Sequence, residues 1–511
     1  MIRRFVTSGF AVITLLAALH ASDAGAAECG RLERLELPHA TITSAVIVEA
    51  GAFTPPANAA PAHGYPPLPA FCRVAGISRP VAGSSIRFEV WMPMSGWNGK
   101  FVGVGNGAWA GTMPYPAMVD TLSKGYATAA TDGGHEGSPL DASFAAGHPE
   151  KLVDFGHRAL HETTVIAKAV IHAYYDRQAS RSLFASCSTG GRQGLMEAYR
   201  YPHDYDGISS MAPANPVVAL MVGSLWTSAA VSKDTASRIP PAAFGLVHKA
   251  VLAHCDANDG VKDGIIGAPQ RCDLDPSALQ CKPGADSVDC LTAPQVVALR
   301  AIFQGPRNPR TGQPIYPGFA LGSETMLPAQ ASGEGPIAPV LSYFRDLVYN
   351  DPQWDFRSFD YDRDVSLAMA AHDGATGVPA SGLDAYLSSG RKLLLSHGWS
   401  DPLVPPMASV EFYRAMAAHL DTEAATNARL FMIPGMGHCG GGDGPFVFDV
   451  IAILEQWVET DRAPERIVAS NPPGAPARTR PLCPFPREAV YSGTGSTDDE
   501  KNFRCEPTLP H

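Results

Sequence analysis

The sequence predicts an α/β fold: a core sheet flanked by helices and interrupted by a large inserted domain. Three observations predict it. A serine sits on a tight turn between a strand-like and a helix-like stretch, in Ser186-Cys187-Ser188-Thr189-Gly190-Gly191-Arg192. An aspartate and a histidine, Asp401 and His438, follow two later strand-like stretches on glycine-bearing turns. Between about residues 208 and 385 the strand and helix alternation stops, for far longer than an ordinary loop.

The chain opens on an export signal. Met1-Ile2-Arg3-Arg4 is positive, Phe5 to Leu19 is mostly apolar, and Ala24-Gly25-Ala26 offers a small-residue cleavage site, so residues 1–26 are expected to be removed. The apolar run is too short to serve as a membrane span and no later run is longer, so we expect an exported protein, periplasmic or secreted, without an anchor. With 511 residues, 45% hydrophobic and 17% charged, the chain has material for a large core. A net charge of −11 with acids and bases interspersed argues against a nucleic-acid partner. Ten cysteines, an even number, read as disulfides in an exported chain. Short separations suggest Cys255–Cys272, Cys281–Cys290 and Cys483–Cys505, leaving Cys29, Cys72, Cys187 and Cys439. No C-x-x-C pair occurs, which weakens a zinc reading.

In the first part of the core, residues 27–207, Ala40 to Val48 and Arg87 to Met92 have the pattern of antiparallel strands, with a Pro/Ala-rich loop, Phe53 to Pro69, between them. Lys100 to Val104 reads as a buried strand running into a glycine-rich turn, Gly105 to Gly111. Tyr126 to Thr131 is a further strand, ending in Asp132-Gly133-Gly134-His135, where an aspartate beside two glycines caps a turn. Asp154 to Tyr175 is a long amphipathic helix. Its His157 and His161 lie one turn apart without the H-E-x-x-H context, and read as surface or packing residues.

Arg181 to Ala185 and Gly194 to Arg200 are the strand and helix around Ser188. A serine between small residues at such a turn is the nucleophile elbow of an α/β-hydrolase, where bulk two positions away would strike the neighbouring chain. The usual pattern is G-x-S-x-G, and here Ser186 takes the first glycine's place.

Residues 208–385 read as an inserted lid, rich in Pro, Gly and aromatics. Within it Asp256, Asp259 and Asp263 bring three hard carboxylates onto one tight loop, and the carbonyls of Val261 and Ile265 have the spacing to complete a calcium shell. Three clustered carboxylates repel and call for a cation. This calcium is expected to be structural, stapled by the Cys255–Cys272 bridge. The lid aromatics Trp226, Tyr343, Phe344, Trp354 and Phe356 are candidate walls for a substrate pocket, or simply lid core.

The core resumes over residues 386–511. Lys392 to His397 is a strand leading to Asp401, Glu411 to His419 a helix, and Ala428 to Ile433 the final strand, leading to His438. The chain order Ser188, Asp401, His438, each after a core strand, is that of an α/β-hydrolase triad. His438 would take the serine proton, Asp401 would hold the imidazole, and the N–H groups of Thr189 and of the turn at Gly107 would hold the oxyanion. No organic cofactor is called for. If the triad assembles, Cys187 and Cys439 fall within disulfide reach, and Cys29–Cys72 remains.

Three motifs, Cys187-Ser188-x-Gly190-Gly191-Arg192, Gly398-x-x-Asp401-Pro402 and Gly435-x-x-His438-Cys439, resemble the tannase/feruloyl esterase family across essentially the whole mature chain. The resemblance implies Ser188, Asp401 and His438 as the triad and a Cys187–Cys439 bridge. It also implies a lid calcium on Asp256, Asp259, Val261, Asp263 and Ile265, and small esters of aromatic acids (gallate, hydroxycinnamates or terephthalate half-esters) as substrates. Two alternatives compete: a lipase or peptidase on the same fold, and a non-catalytic binding protein, disfavoured because such proteins usually lose a triad member.

Overall fold

The computed structural model describes residues 28–56, 65–283, 289–331 and 333–507. The export signal and part of the Pro/Ala-rich loop lie outside these residues. One nine-stranded sheet carries the core. Its antiparallel edge is β1 (Ala40–Val48), β2 (Phe71–Ser78) and β3 (Ile86–Pro93); the rest is parallel, built from β4 (Phe101–Gly103), β5 (Ala127–Thr131), β6 (Ser182–Cys187), β7 (Gly207–Met211), β8 (Lys392–Gly398) and β9 (Ala428–Ile433). The spatial order is β1-β2-β3-β5-β4-β6-β7-β8-β9. Every residue of β5 and of β8 is buried, as the Leu393-Leu394-Leu395 run requires of parallel strands covered on both faces.

The covering layers come from α1 (Tyr115–Ser123), α2 (Ala159–Tyr175), α3 (Thr189–Arg200) and, near the C-terminus, a helix over Val450–Thr460. On one face Ile166, Val170 and Ile171 of α2 pack with Phe184, Leu195 and Ile208. On the other, Leu183, Leu394 and Phe431 meet Leu454 and Trp457. Truncating a buried aromatic such as Phe184 or Trp457 would cost about 3–5 kcal/mol. The helix expected over 154–175 begins as a π-helical turn at Asp154–Arg158 and becomes regular at Ala159. The fully buried Arg192 of α3 holds that turn, donating to the carbonyls of Gly156 (2.7 Å) and Phe155 (3.2 Å).

Two expectations need correction, and one strand falls where none was expected. β2 lies in the interval between β1 and β3; its alternation of buried and half-buried residues is that of a sheet strand. β7 crosses the boundary expected at 207/208, so the core extends to Met211 before the insertion begins. Gly-Ile-Ser-Ser-Met has little strand character of its own and is held by parallel pairing to β6 and β8 on either side, with Ser210 Oγ donating to Gly191 O at 2.8 Å. Nor is β9 the last strand: β10 (Ile467–Ser470) pairs with β11 (Thr479–Leu482), and β12 (Arg487–Tyr491) with β13 (Phe503–Pro507).

In the insertion, α4 (Val217–Ser232) leads from the core into the lid, followed by α5 (Pro241–Cys255) and α6 (Ala293–Gln304). α4 is apolar on nearly every side because it is buried on nearly every side, with Val218, Val222 and Leu225 fully enclosed. Beyond the lid, α7 (Met407–His419) follows β8, and the Val450–Thr460 helix is α8. This is a mixed α/β architecture, a parallel-dominated sheet flanked by helices, with a large insertion between β7 and β8.

Candidate active site

Ser188 stands where β6 gives way to α3, in a positive-φ conformation (φ 63°, ψ −125°) that L-residues adopt only under constraint, at roughly 1–3 kcal/mol. Its neighbours supply the constraint. Ser188 N–H donates to Met211 O (3.0 Å), and its carbonyl accepts from Arg192 N–H (3.0 Å) and Ala214 N–H (3.1 Å). Ser186 is accommodated at the usual glycine position by the glycine across from it: a Cβ on Gly190 would sit 2.0 Å from Ser186 Oγ.

The turn at Gly105–Gly111 is clamped to α3. Asn106 N–H donates to Gln193 Oε1 (2.9 Å), and Gln193 Nε2 donates back to Asn106 Oδ1 (3.0 Å). Thr189 Oγ1 donates to Ala108 O at 2.6 Å. From Asn106 to Gly111, the N–H groups of Asn106, Trp109, Ala110 and Gly111 are committed, to Gln193, Pro139, Gly107 and Asp132. That leaves Gly107 and its neighbour Ala108 as the donors this turn can offer.

Asp401 follows β8 and is fully buried. His438 Nδ1 lies 2.7 Å from Asp401 Oδ2, and the N–H groups of Leu403 (2.8 Å) and Val404 (2.9 Å) donate to Oδ1. Burial alone would raise the Asp401 pKa; the charge of His438 and the hydrogen bonds from His397 and His438 outweigh it and hold the carboxyl well below the usual range. Because the carboxylate accepts at Nδ1, His438 Nε2 is left free as the ring's acceptor. Ser188 and His438 line one cavity of about 540 Å³, together with Gly107, Ala108 and Thr189. Cys187 and Cys439, one beside each, are bridged with their Cα atoms 5.9 Å apart, and Cys439 also has positive φ (61°).

The other expected bridges form as well: Cys29–Cys72, Cys255–Cys272, Cys281–Cys290 and Cys483–Cys505. The lid aromatics do not line the cavity. Tyr343, Phe344, Trp354 and Phe356 pack together in a lid cluster, and Trp226 donates its indole N–H to Ala301 O. The aromatic walls come from the core, as Trp109 and Phe155, and α4 adds Leu220 and Met221. Tyr343 stacks behind Trp109 at 5.5 Å, supporting the wall from outside. Sequence reading also missed His397, on the far side of Asp401, although a histidine ending an otherwise apolar buried strand is a signal in itself.

Asp132 caps its turn, accepting from Arg87 N–H (3.1 Å) and Gly134 N–H (2.8 Å). His157 and His161 do pack, on Tyr201: His157 Nδ1 meets its hydroxyl at 2.7 Å and the His161 ring stacks on it at 3.7 Å. His161 also joins Glu197 and Asp204 in a group whose ligand atoms lie within 4.8 Å of one another, but none of the three lines the cavity.

The acidic loop of the lid closes on itself. Asp256 accepts from the N–H groups of Asp263 (3.3 Å) and Gly264 (3.1 Å), Asp259 from Val261 (3.1 Å) and Asp263 from Ile265 (3.2 Å). Burial, reinforced by Asp263 and Asp256, pushes the Asp259 pKa up to about 7. Arg480 of β11 forms an ion pair with Asp263. Three carboxylates on one loop have the donor chemistry for a hard divalent cation, although among the described residues the group of three whose ligand atoms lie within 4.8 Å of one another is His161, Glu197 and Asp204.

A model of the family described as "Tannase and feruloyl esterase" matches residues 72–506. An uncharacterised esterase of Xanthomonas campestris pv. campestris is 39% identical, covering 96% of this chain and 93% of that protein. A probable feruloyl esterase B-2 of Aspergillus terreus is 33% identical over 85% of this chain and 86% of its own length. The crystal structure of feruloyl esterase B from Aspergillus oryzae superposes with a TM-score of 0.87 at 28% identity, covering 94% of this chain and all of that one (100%).

Proposed function

As the chain belongs to the tannase and feruloyl esterase family and is a carboxylic ester hydrolase, we propose that it cleaves esters of aromatic acids through an acyl-enzyme on Ser188. One observation carries the reading: Ser188, on its strained elbow, shares a cavity with His438, whose Nδ1 is 2.7 Å from the buried Asp401.

The steps follow from that arrangement. His438 Nε2 accepts the Ser188 hydroxyl proton as Oγ attacks the acyl carbonyl, then returns it to the leaving alcohol. Asp401 keeps the proton on Nδ1 and stabilises the imidazolium. The N–H groups of Thr189 and of Gly107 or Ala108 hold the oxyanion, at about 3 kcal/mol per donor. Water then enters by the same route and releases the acid. The cavity between Trp109, Phe155 and α4 is apolar and wide enough for one aromatic acyl group.

Calcium belongs to this proposal as a structural ion, held by Asp256, Asp259, Asp263 and the carbonyls of Val261 and Ile265. When bound it supplies charge to the lid loop and takes no part in the acyl transfer. Export belongs to it too: five disulfides suit an oxidising compartment, and no helix among the described residues is long and apolar enough to cross a membrane.

The test is initial rates on methyl ferulate, methyl p-coumarate, methyl gallate, mono(2-hydroxyethyl) terephthalate and p-nitrophenyl esters of rising chain length, each beside Ser188→Ala. We expect preference for one aromatic acid and a loss of about 10⁴-fold or more in the variant. Turnover of alkyl esters alone would keep the triad and remove the aromatic-acid pocket. Rates equal to Ser188→Ala on every ester would remove the enzyme reading.

A further inference from the structure

Asp401 is touched by two imidazoles. His397, the penultimate residue of β8, is fully buried, and its Nε2 lies 3.2 Å from Asp401 Oδ2 and 3.0 Å from Val404 O. Its Nδ1 lies 2.7 Å from Ser409 Oγ on α7. These partners decide where the protons are. A carbonyl only accepts, so Nε2 carries hydrogen, and Nδ1 is then the acceptor for the Ser409 hydroxyl. The His397 N–H is shared between Val404 O and the oxygen of Asp401 that also faces His438. Asp401 Oδ2 therefore receives two imidazole N–H groups while Oδ1 receives two backbone N–H groups.

We propose that His397 is a positioning residue for the triad: its N–H fixes the Asp401 carboxylate in line with His438 and takes part of its charge, making His438 a weaker base than an unshared carboxylate would. The inference rests on reading Ser188, Asp401 and His438 as that triad. The physical ground is that each hydrogen bond to a carboxylate stabilises its charged form and disperses the charge. A carboxylate with dispersed charge stabilises the imidazolium less, keeping the general base closer to the working pH.

Among the described residues, the other titratable groups that bear on this pair are Tyr316 and Glu411, with Arg414 of α7 acting on Glu411. Tyr316 of the lid is buried near Asp401; burial, helped by the charges of Asp401 and Glu411, pushes its hydroxyl well up and keeps it protonated. Glu411, on α7 two residues beyond Ser409, is raised by burial. His397 is thus the group that shares Asp401 with the proposed base.

The experiment is the pH profile of kcat/KM for His397→Phe, which keeps a ring and removes the N–H, beside His397→Gln, which restores a donor. The acid limb of His397→Phe should move to higher pH by about one unit, because His438 gains basicity, and His397→Gln should move it back. A folded His397→Phe whose rate drops by one factor at all pH values, with the limb unmoved, would overturn the proposal. Should that variant not fold, Ser409→Ala decides: losing the hydroxyl that holds the His397 ring through Nδ1 should loosen its N–H on Asp401 and shift the limb in the same direction, and an unmoved limb rejects the idea. Ser188→Ala separates the two readings, since activity surviving in it defeats the triad itself rather than the part given to His397.

Discussion

The turns around Ser188 and His438 are tied to each other across the length of the chain, while the two bridges of the lid close over short spans. The Cys187–Cys439 bridge spans 252 residues, and Asn106 reaches Gln193 across 87. In the lid, Cys255–Cys272 spans 17 and Cys281–Cys290 spans 9, and the acidic loop binds its own backbone within a few residues. The two regions meet at many points, among them Trp109 Nε1 on Pro339 O (3.0 Å), Gln330 Nε2 on Pro402 O (2.7 Å) and the Arg480–Asp263 ion pair. The bridge that ties the two turns together and the bridges that close the lid lie in different residues, so each can be removed without the other.

Asp401→Asn tests the core side most severely. It should lower kcat by about 10⁴-fold by spoiling the tautomer of His438, with the fold retained by circular dichroism. Its stability cost has a pH signature. A carboxyl held below its ordinary value contributes stability that is present above the unfolded value, about 3.9, and lost as pH falls through the folded one. The gap between the wild type and Asp401→Asn in denaturant unfolding should therefore be full at pH 7, begin to narrow below about pH 4 and keep narrowing as pH falls further towards the folded value; a gap that does not change from pH 7 down through pH 2 would mean that Asp401 is not charged in its pocket.

Removing bridges sharpens the contrast. In the chain-entropy model the 252-residue closure constrains the unfolded chain by about 5.5 kcal/mol and the 9-residue closure by about 2.6 kcal/mol. Replacing Cys187 and Cys439 by serine should lower both the midpoint of unfolding and kcat. The same change at Cys281 and Cys290 should lower the midpoint less and leave kcat within about twofold. Equal loss of kcat from both pairs would erase the distinction between the regions.

Chelation by EDTA should act on the lid alone: a lower melting temperature, recovered with Ca²⁺, and little change in the rate at temperatures where the protein stays folded. Activity abolished with the melting temperature unchanged would put the cation in the chemistry instead. The smallest effect expected is that of Ser186→Gly, a change of less than about threefold in kcat, since Gly190 already makes room for the serine. Gly190→Ala, whose Cβ would meet Ser186 Oγ at 2.0 Å, should be far more damaging in the same assay.

Much of the core was legible because its signals are local. Ser188, Asp401 and His438 each announce themselves by a strand, a turn and small neighbours within a few residues. What escaped was decided by neighbours in space. β7 is a strand because β6 and β8 flank it, and its own two serines and glycine say little. Trp226, Tyr343, Phe344, Trp354 and Phe356 are aromatic in composition, but composition does not say which way a ring faces, and they fill the lid rather than the cavity. Arg480 covers the acidic loop from more than two hundred residues away, a contact no window of sequence contains.

The Cys187–Cys439 bridge also turns the chain between those residues into a closed circuit, with the whole lid on its circumference. A protease cutting one exposed lid loop opens the circuit but sets no fragment free: the two halves of the core stay one covalent molecule until a reductant is added. The lid accordingly runs from β7 to β8 between two halves of the core that stay joined, as an arch on two feet. An insertion anchored in that way can lengthen, be nicked or be rebuilt over time while its feet, and the chemistry between them, stay where they are.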